Sequence, residues 1–215
     1  MIRAIMNGCH GVMGHVITDI VSKDDAIEIV AGVDMNTESY AGYPVFQSLS
    51  ECPEADVIID FSTAKAVDAV LRSANMSIGI NLLMKTLKEV APVLAAAGFD
   101  IEILEKHHNR KLDAPSGTAI ALADAINESL DNSYHYKYDR SSERVARDPK
   151  EIGIQALRGG TIVGEHDIMF AGRDEVITFT HTAYSREIFA KGSVEAAKFL
   201  AGKPAGLYDM ADVVG

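Results

Sequence analysis

Ile2-Arg-Ala-Ile-Met6, running into Asn7-Gly8-Cys9-His10-Gly11-Val12-Met13-Gly14, is the stretch that decides the fold. A short apolar strand ends in a loop with glycines at 8, 11 and 14. His15 to Ser22 then follows with helical spacing of Val16, Ile17, Ile20 and Val21. Strand, glycine-rich turn and helix together are the context in which a dinucleotide fingerprint has physical meaning. The glycines permit a tight turn, and they let backbone N–H groups approach a pyrophosphate at the helix N-terminus. The spacing departs from G-x-G-x-x-G, because His10 stands where the second glycine would be. A plain strand–helix turn would use the same glycines, so the loop needs independent support.

Asp34 supplies that support. Ile27 to Val33 is an apolar, β-branched run of strand length, and Asp34 closes it 20 residues beyond Gly14. A carboxylate at the end of a second strand can accept hydrogen bonds from the adenosine ribose hydroxyls. It also repels a 2′-phosphate, and Met35 and Asn36 offer no arginine to attract one. The expected cofactor is therefore NADH in preference to NADPH. Asp56 to Asp60 reads as a third buried strand, and strands alternating with a helix are the pattern of a parallel, doubly wound sheet.

From Ser77 onward the pattern changes. Ile78 to Ala97 predicts a long helix ended by Gly98, and Asp100 to Leu104 predicts a strand. A further helix is expected from near Ser116 through Leu130. Beyond the polar stretch 132–150, the segments Ile152 to Leu157, Gly160 to Val163, Glu165 to Phe170 and Val176 to Ala183 read as antiparallel strands with glycine-bearing turns. A last amphipathic helix is expected over Phe189 to Leu200.

The composition limits the partners. The chain has 215 residues, 47% of them hydrophobic and 24% charged, with a formal charge of −11. Such a surface repels nucleic acid and anionic membranes as a whole. An anionic small ligand must then be held by a local cluster of donors. Two cysteines, Cys9 and Cys52, are too few for a disulfide scaffold and lack metal-ligand spacing. The N-terminal residues lack the pattern of a signal peptide, and no apolar stretch approaches the roughly 20 residues that span a bilayer. A soluble, cytoplasmic protein is expected.

The densest cationic cluster is His107-His108-Asn109-Arg110-Lys111. A zinc site is disfavoured there, because adjacent residues at a strand end point to opposite sides. A solvated basic loop is the plain alternative. Its neighbour Asp113-Ala-Pro-Ser-Gly-Thr118 favours an anion site instead: Ser116 can cap the next helix, leaving the N–H groups of Gly117 and Thr118 to a carboxylate.

The string Glu102-Ile-Leu-Glu105-Lys-His107-His108-Asn-Arg-Lys111-Leu-Asp113-Ala-Pro-Ser-Gly117-Thr118-Ala resembles the signature of the dihydrodipicolinate reductases. Asp60-Phe-Ser62, Ser73 to Asn81, Arg158 to His166 and His181 to Arg186 agree with it, in order along almost the whole chain. The resemblance implies an α/β fold with two parts. A shortened Rossmann-like nucleotide-binding domain (1–76 and 186–215) accompanies an α+β substrate and tetramerisation domain with a mixed sheet (77–185). It implies His107 as general acid, His108 as a substrate contact, and Lys111 as a substrate-binding lysine that assists protonation. Gly117 and Thr118 would bind a substrate carboxylate. Gly8, Cys9, His10, Gly11, Val12, Met13 and Asp34, with Ser73, Ala74, Asn75 and Met76, would contact the cofactor. No metal is implied, and a homotetramer acting on a small dicarboxylate in lysine and diaminopimelate synthesis is.

The chain departs from that pattern in two places. Val12 stands where the family usually has arginine, which removes one phosphate contact. Ala66 to Arg72 also runs almost directly into the segment at Ser73. Relatives place a strand, a turn touching the nicotinamide ring, a helix and another strand between the two. By resemblance, some thirty-odd residues are absent, which leaves three readings: an active reductase, a catalytically weakened member that binds nucleotide and dicarboxylate, and a Rossmann oxidoreductase acting on an amino acid. The intact carboxylate-site string argues against the last. Loss of two central strands would expose apolar sheet edges.

Overall fold

The computed structural model of the protein describes residues 1–61, 70–71, 73, 75–204 and 206–215. Ala74 and the stretch 62–69, with Ser62, lie outside the described residues. The elements in chain order begin β1 (Ile2–Asn7), α1 (Val12–Val21), β2 (Ile27–Val33), β3 (Val45–Phe46), β4 (Val57–Asp60) and β5 (Val70–Leu71). Then come α2 (Ile78–Ala96), β6 (Asp100–His107), α3 (Gly117–Glu128), β7 (His135–Lys137), β8 (Glu151–Arg158), β9 (Gly164–Ala171) and β10 (Val176–Ala183). The chain closes with α4 (Glu187–Leu200), β11 (Leu207–Tyr208) and α5 (Met210–Val214). Two compact units result: Met1–Ile78 with Glu187–Gly215, and Gly79–Arg186.

The first unit is built on a parallel sheet of order β3-β2-β1-β4. Its strands are apolar on both faces, as a sheet covered on both sides requires. Ala4, Met6, Val57 and Ile59 pack with Ile17 and Val21 of α1 and with Ala190, Val194 and Ala197 of α4. Ile5, Ala31 and Val33 gather on the other face with Val30, Phe46 and Ile58. Val57 and Ile59 of the edge strand β4 are thus buried, while Phe61 just beyond is 37% exposed. A separate parallel pair joins β5 to β11.

α1 begins at Val12, three residues before the expected start, because Gly11 serves as its N-cap and Val12 to Gly14 wind into the first turn. That turn is crowded: a Cβ on Gly14 would lie 2.4 Å from the carbonyl oxygens of both Gly8 and Cys9. Gly192 of α4 is more constrained still, since a Cβ there would sit 1.7 Å from the carbonyl oxygen of Met76. α4 thereby lies directly on the backbone that follows Ser73.

The second unit is a mixed sheet of order β10-β9-β6-β8-β7. One correction concerns its strands. Gly160 to Val163 is not a strand but part of a turn, tied by Asn109 N–H to Gly160 O at 3.2 Å and by Gly159 N–H to His107 O at 2.9 Å. β8 and β9 are not a hairpin either: β6 lies between them, parallel to β8 and antiparallel to β9. Only β9 and β10 form the expected antiparallel pair. β6 also runs on to His107, because alternate residues Ile101, Ile103, Glu105 and His107 all find buried positions. On the covered face, Ile101, Ile103, Ile152, Ile154, Ile168 and Phe170 pack against Ile80 and Leu87 of α2 and Leu122 and Ile126 of α3. The polar stretch 132–150 contributes β7 and two arginines that anchor it: Arg147 holds Asp100 and Glu102, and Arg140 holds Glu102 and Glu151. No helix among the described residues is long and apolar enough to cross a membrane.

Gly192→Ala separates close approach from helix propensity. Alanine at an unhindered helical site would stabilise by about 1 kcal/mol relative to glycine. The clash with Met76 reverses the sign, so the variant should lose about 1–3 kcal/mol, read as a lower urea midpoint with an unchanged slope.

Candidate active site

Glycine at 8 adopts φ 78°, and Gly11 caps α1 without any side chain, so its first-turn N–H groups carry no side-chain cap. That first turn holds no acidic residue. The geometry fits an anion such as a pyrophosphate, which binds to helix N–H groups and the positive end of the dipole. Asp34 follows β2 and accepts the backbone N–H of His10 at 3.0 Å. The His10 ring meets the Glu38 carbonyl at 3.0 Å and lies 5.0 Å from the Tyr40 ring. Cys9 is placed differently from its neighbours. Its side chain is fully buried, its thiol is pushed up by burial and by Asp34, and its carbonyl accepts from Tyr40 Oη at 2.8 Å. The backbone N–H of Cys9 is engaged as well, donating to Val33 O at 3.4 Å. Val12 is 67% exposed, whereas Met13 packs on the core. Ser73 donates to Asn75 O at 2.6 Å, and the Asn75 side chain accepts Ser77 N–H at 2.8 Å, a local turn that leads into Met76.

The cationic cluster lies in the second unit, at one end of the mixed sheet. Register explains which side chains meet. Glu105 on β6 stands opposite His166 on β9, which stands opposite His181 on β10, while His107 stands opposite Arg158 on β8. Directly opposed residues share a sheet face, so these five side chains share one. His107 is 8% exposed and its ring lies 5.2 Å from that of His166. His108 is the first residue beyond β6. Its Nδ1 is buried without a partner among the described residues, and desolvation with Arg110, Arg186, His107 and Lys111 nearby lowers its pKa.

Glu105 is the centre of the cluster. Its carboxylate has no solvent exposure and accepts four hydrogen bonds: both Arg158 terminal nitrogens at 2.7 Å, His107 Nδ1 at 2.6 Å and Ser116 N–H at 2.9 Å. Burial pushes its pKa up, but the hydrogen bonds from Arg158, His107 and Ser116 outweigh it, so the group is held below the usual carboxylate range.

Ser116 is the N-cap of α3, as expected from the sequence, and the helix itself begins at Gly117. Its hydroxyl accepts from Ala119 N–H at 3.1 Å and lies 3.1 Å from His166 Nε2. The hydroxyl has both a proton and a second lone pair for His166 Nε2, and the other ring nitrogen of His166 is Nδ1. That atom is buried with no partner among the described residues. Burial, reinforced by His107, pushes the His166 pKa down to about 4. Burial lowers His181 as well.

Lys111 pairs with Asp113 at 2.9 Å, and that pairing lowers Asp113, with a smaller contribution from the Gly117 N–H. The donor at Gly117 is thus partly engaged, where the sequence reading left it to a ligand. The space beside Gly117 is otherwise open, with nothing within 4 Å of where a Cβ would be. Thr118 follows it in the first turn of α3. Sequence reasoning assigned no role to Glu105, Arg158 or His166. The period of two along β6, which puts Glu105 on the same face as His107, is the signal that could have found the first.

His166 makes stability depend on pH. Its pKa falls from 6.5 to about 4 on folding, so the unfolded chain binds more protons across that window, and stability is lost as pH drops through it. The contribution is of the order of 3 kcal/mol at most. His166→Gln should therefore show a flatter decline of urea midpoint between pH 6.5 and 4 than the unaltered protein; identical slopes would refute this.

The family description "Dihydrodipicolinate reductase, N-terminus" matches residues 2–110, and "Dihydrodipicolinate reductase, C-terminus" matches residues 79–214. The 4-hydroxy-tetrahydrodipicolinate reductase of Caldanaerobacter subterraneus subsp. tengcongensis is 47% identical over 250 aligned positions, covering 100% of this chain and 98% of that protein. With 215 residues in this chain, about 35 of those positions have no counterpart here. The enzyme of the same name from Clostridium tetani is 43% identical, covering 98% of this chain and 96% of its own length. Among solved structures, a dipicolinate-bound dihydrodipicolinate reductase from Paenisporosarcina sp. TG-14 shares the fold, with a TM-score of 0.77 at 24% identity over 99% of this chain and 98% of that one. The chain belongs to the dihydrodipicolinate reductase family.

Proposed function

We propose that this protein reduces 4-hydroxy-tetrahydrodipicolinate (dihydrodipicolinate) to tetrahydrodipicolinate in lysine and diaminopimelate synthesis. The observation that carries the reading is the face shared by His107, His166 and His181, beside Lys111 and the N-terminus of α3. Such a set suits a small ring with two carboxylates. Lys111 supplies positive charge, Gly117 and Thr118 offer first-turn N–H groups, and the buried Nδ1 of His166 has no partner among the described residues, a place that a polar ligand group could take. His108 adds a further donor.

A nicotinamide cofactor supplies the hydride when bound. The residues of this chain supply what the accepting ring then needs. Negative charge develops on the conjugated imine, Lys111 stabilises it, and His107 delivers a proton from Nε2, to be replaced from solvent. The backbone of Gly8 to Met13 would hold the pyrophosphate, and Asp34 the ribose, with Ser73, Ala74, Asn75 and Met76 toward the nicotinamide. The first unit is then the nucleotide-binding domain and the second the substrate domain. The assembly is read as a cytoplasmic homotetramer, by likeness to the family.

A second reading has a specific observation behind it. About 35 positions of the aligned relative have no residue here, and by resemblance they include the turn that touches the nicotinamide. Misplacing a reacting carbon by about 1 Å can cost roughly 10²-fold in rate. The protein is then a slower member that keeps its affinity for adenosine nucleotides and pyridine dicarboxylates.

Loss of nicotinamide absorbance on incubation with NADH and the product of dihydrodipicolinate synthase tests the activity directly. Lys111→Ala should lower kcat by about 10² or more; an unchanged kcat in a folded variant would sink the assignment.

Cofactor choice is a separate test. The Asp34 carboxylate should repel a 2′-phosphate, so calorimetric titration should give NADH binding at least as tight as NADPH binding. Asp34→Ala should weaken NADH in particular. Clearly tighter binding of NADPH to the unaltered protein would contradict the reading.

A further inference from the structure

The four hydrogen bonds on the buried Glu105 carboxylate include one whose consequence is chemical. An ionised carboxylate can only accept, so the proton in the 2.6 Å contact with His107 belongs to Nδ1. The neutral imidazole then has its lone pair on Nε2, and the imidazolium has its exchangeable proton there. A second, independent feature marks the same atom. On β9, Gly164 leaves room beside Nε2, and a Cβ at that position would lie 3.1 Å from it.

We propose that Glu105 is the positioning residue of the reaction: it fixes His107 as the Nδ1–H form and presents Nε2 for proton donation. The proposal rests on the reading of His107 as the acid. Arg158 has a distinct part. Its two-pronged contact keeps Glu105 ionised, so the carboxylate orients the ring without taking the proton for itself. In the donating step the N–H bond at Nε2 breaks, the proton goes to the substrate, and the Nδ1–H stays with Glu105. The charged or titratable groups around His107 are Glu105 on β6, Arg158 on β8, His166 on β9 and, from the loop after β6, His108 and Lys111.

The test begins with the unaltered protein, labelled with [15N]histidine. His107→Asn assigns the ring signals, and long-range ¹⁵N–¹H correlation reads the tautomer. An Nδ1–H form is expected, and an Nε2–H form overturns the role of Glu105. Glu105→Gln then removes the charge while keeping the shape. Its kcat should fall about 10²-fold with KM for the dicarboxylate changing little, and the alkaline limb of the kcat profile should move to lower pH by about 1 unit. That shift is the readout a merely structural residue would not move, and an unmoved limb in the folded variant overturns the proposal. Should Glu105→Gln fail to fold, the tautomer measurement decides alone. The two readings fail differently: full turnover by His107→Asn defeats the acid assignment, whereas an inactive His107→Asn beside an Nε2–H tautomer defeats Glu105 only.

Discussion

A carboxylate with no contact with solvent is the constraint on which the second unit depends. An uncompensated buried charge costs several kcal/mol, and removing one member of a buried pair costs about 3–5 kcal/mol. Glu105 escapes that cost only because β8 brings Arg158 to it, α3 brings the N–H of Ser116, and its own strand brings His107. Each partner comes from a different segment. The charge therefore sets the register of β8 against β6 and the depth at which α3 begins. Arg158 also donates to the Asp113 carbonyl at 2.6 Å, so the same guanidinium holds the loop that carries Lys111 and Asp113.

The first unit is held by a different constraint, the absence of side chains. At Gly14 and Gly192 the backbone approaches so closely that a single Cβ would overlap a carbonyl oxygen. Such contacts fix position without polar partners. At the turn after β1 they leave the N–H groups of α1 without a side-chain cap, in the state an anion needs. In one unit, then, a site is shaped by charge that must be matched, and in the other by backbone that must stay bare.

Much of this was legible in the sequence, for reasons that differ from place to place. The glycines at 8, 11 and 14 and the acid at 34 are local signals, readable because turn geometry depends on few residues. The helix from Ile78 was equally readable from its period. The order of the second sheet was not. The segment 160–163 looks like a strand by composition, yet it opens on a turn in which Gly159 donates to His107 O and Gly160 O accepts from Asn109, long-range contacts that no local pattern records. The same limit hid the roles of Glu105, Arg158 and His166. Their residue types are plain in the chain, but their meeting depends on β6 lying between β8 and β9.

The parallel sheet of the first unit has four strands among the described residues. Val57 and Ile59 of the edge strand remain buried because α4, which arrives from the far end of the chain, lies over that face. Packing energy is roughly proportional to apolar area removed from water, whichever element covers it. Orientation has no such tolerance. A bound group held only through its pyrophosphate and ribose keeps most of its affinity while its far ring is free to turn, and binding that does not orient the reacting carbon leaves the barrier where it was. On the reading of a slower family member, stability and nucleotide affinity would survive the absence of about 35 positions, while the rate of the chemical step would be the property most exposed to it.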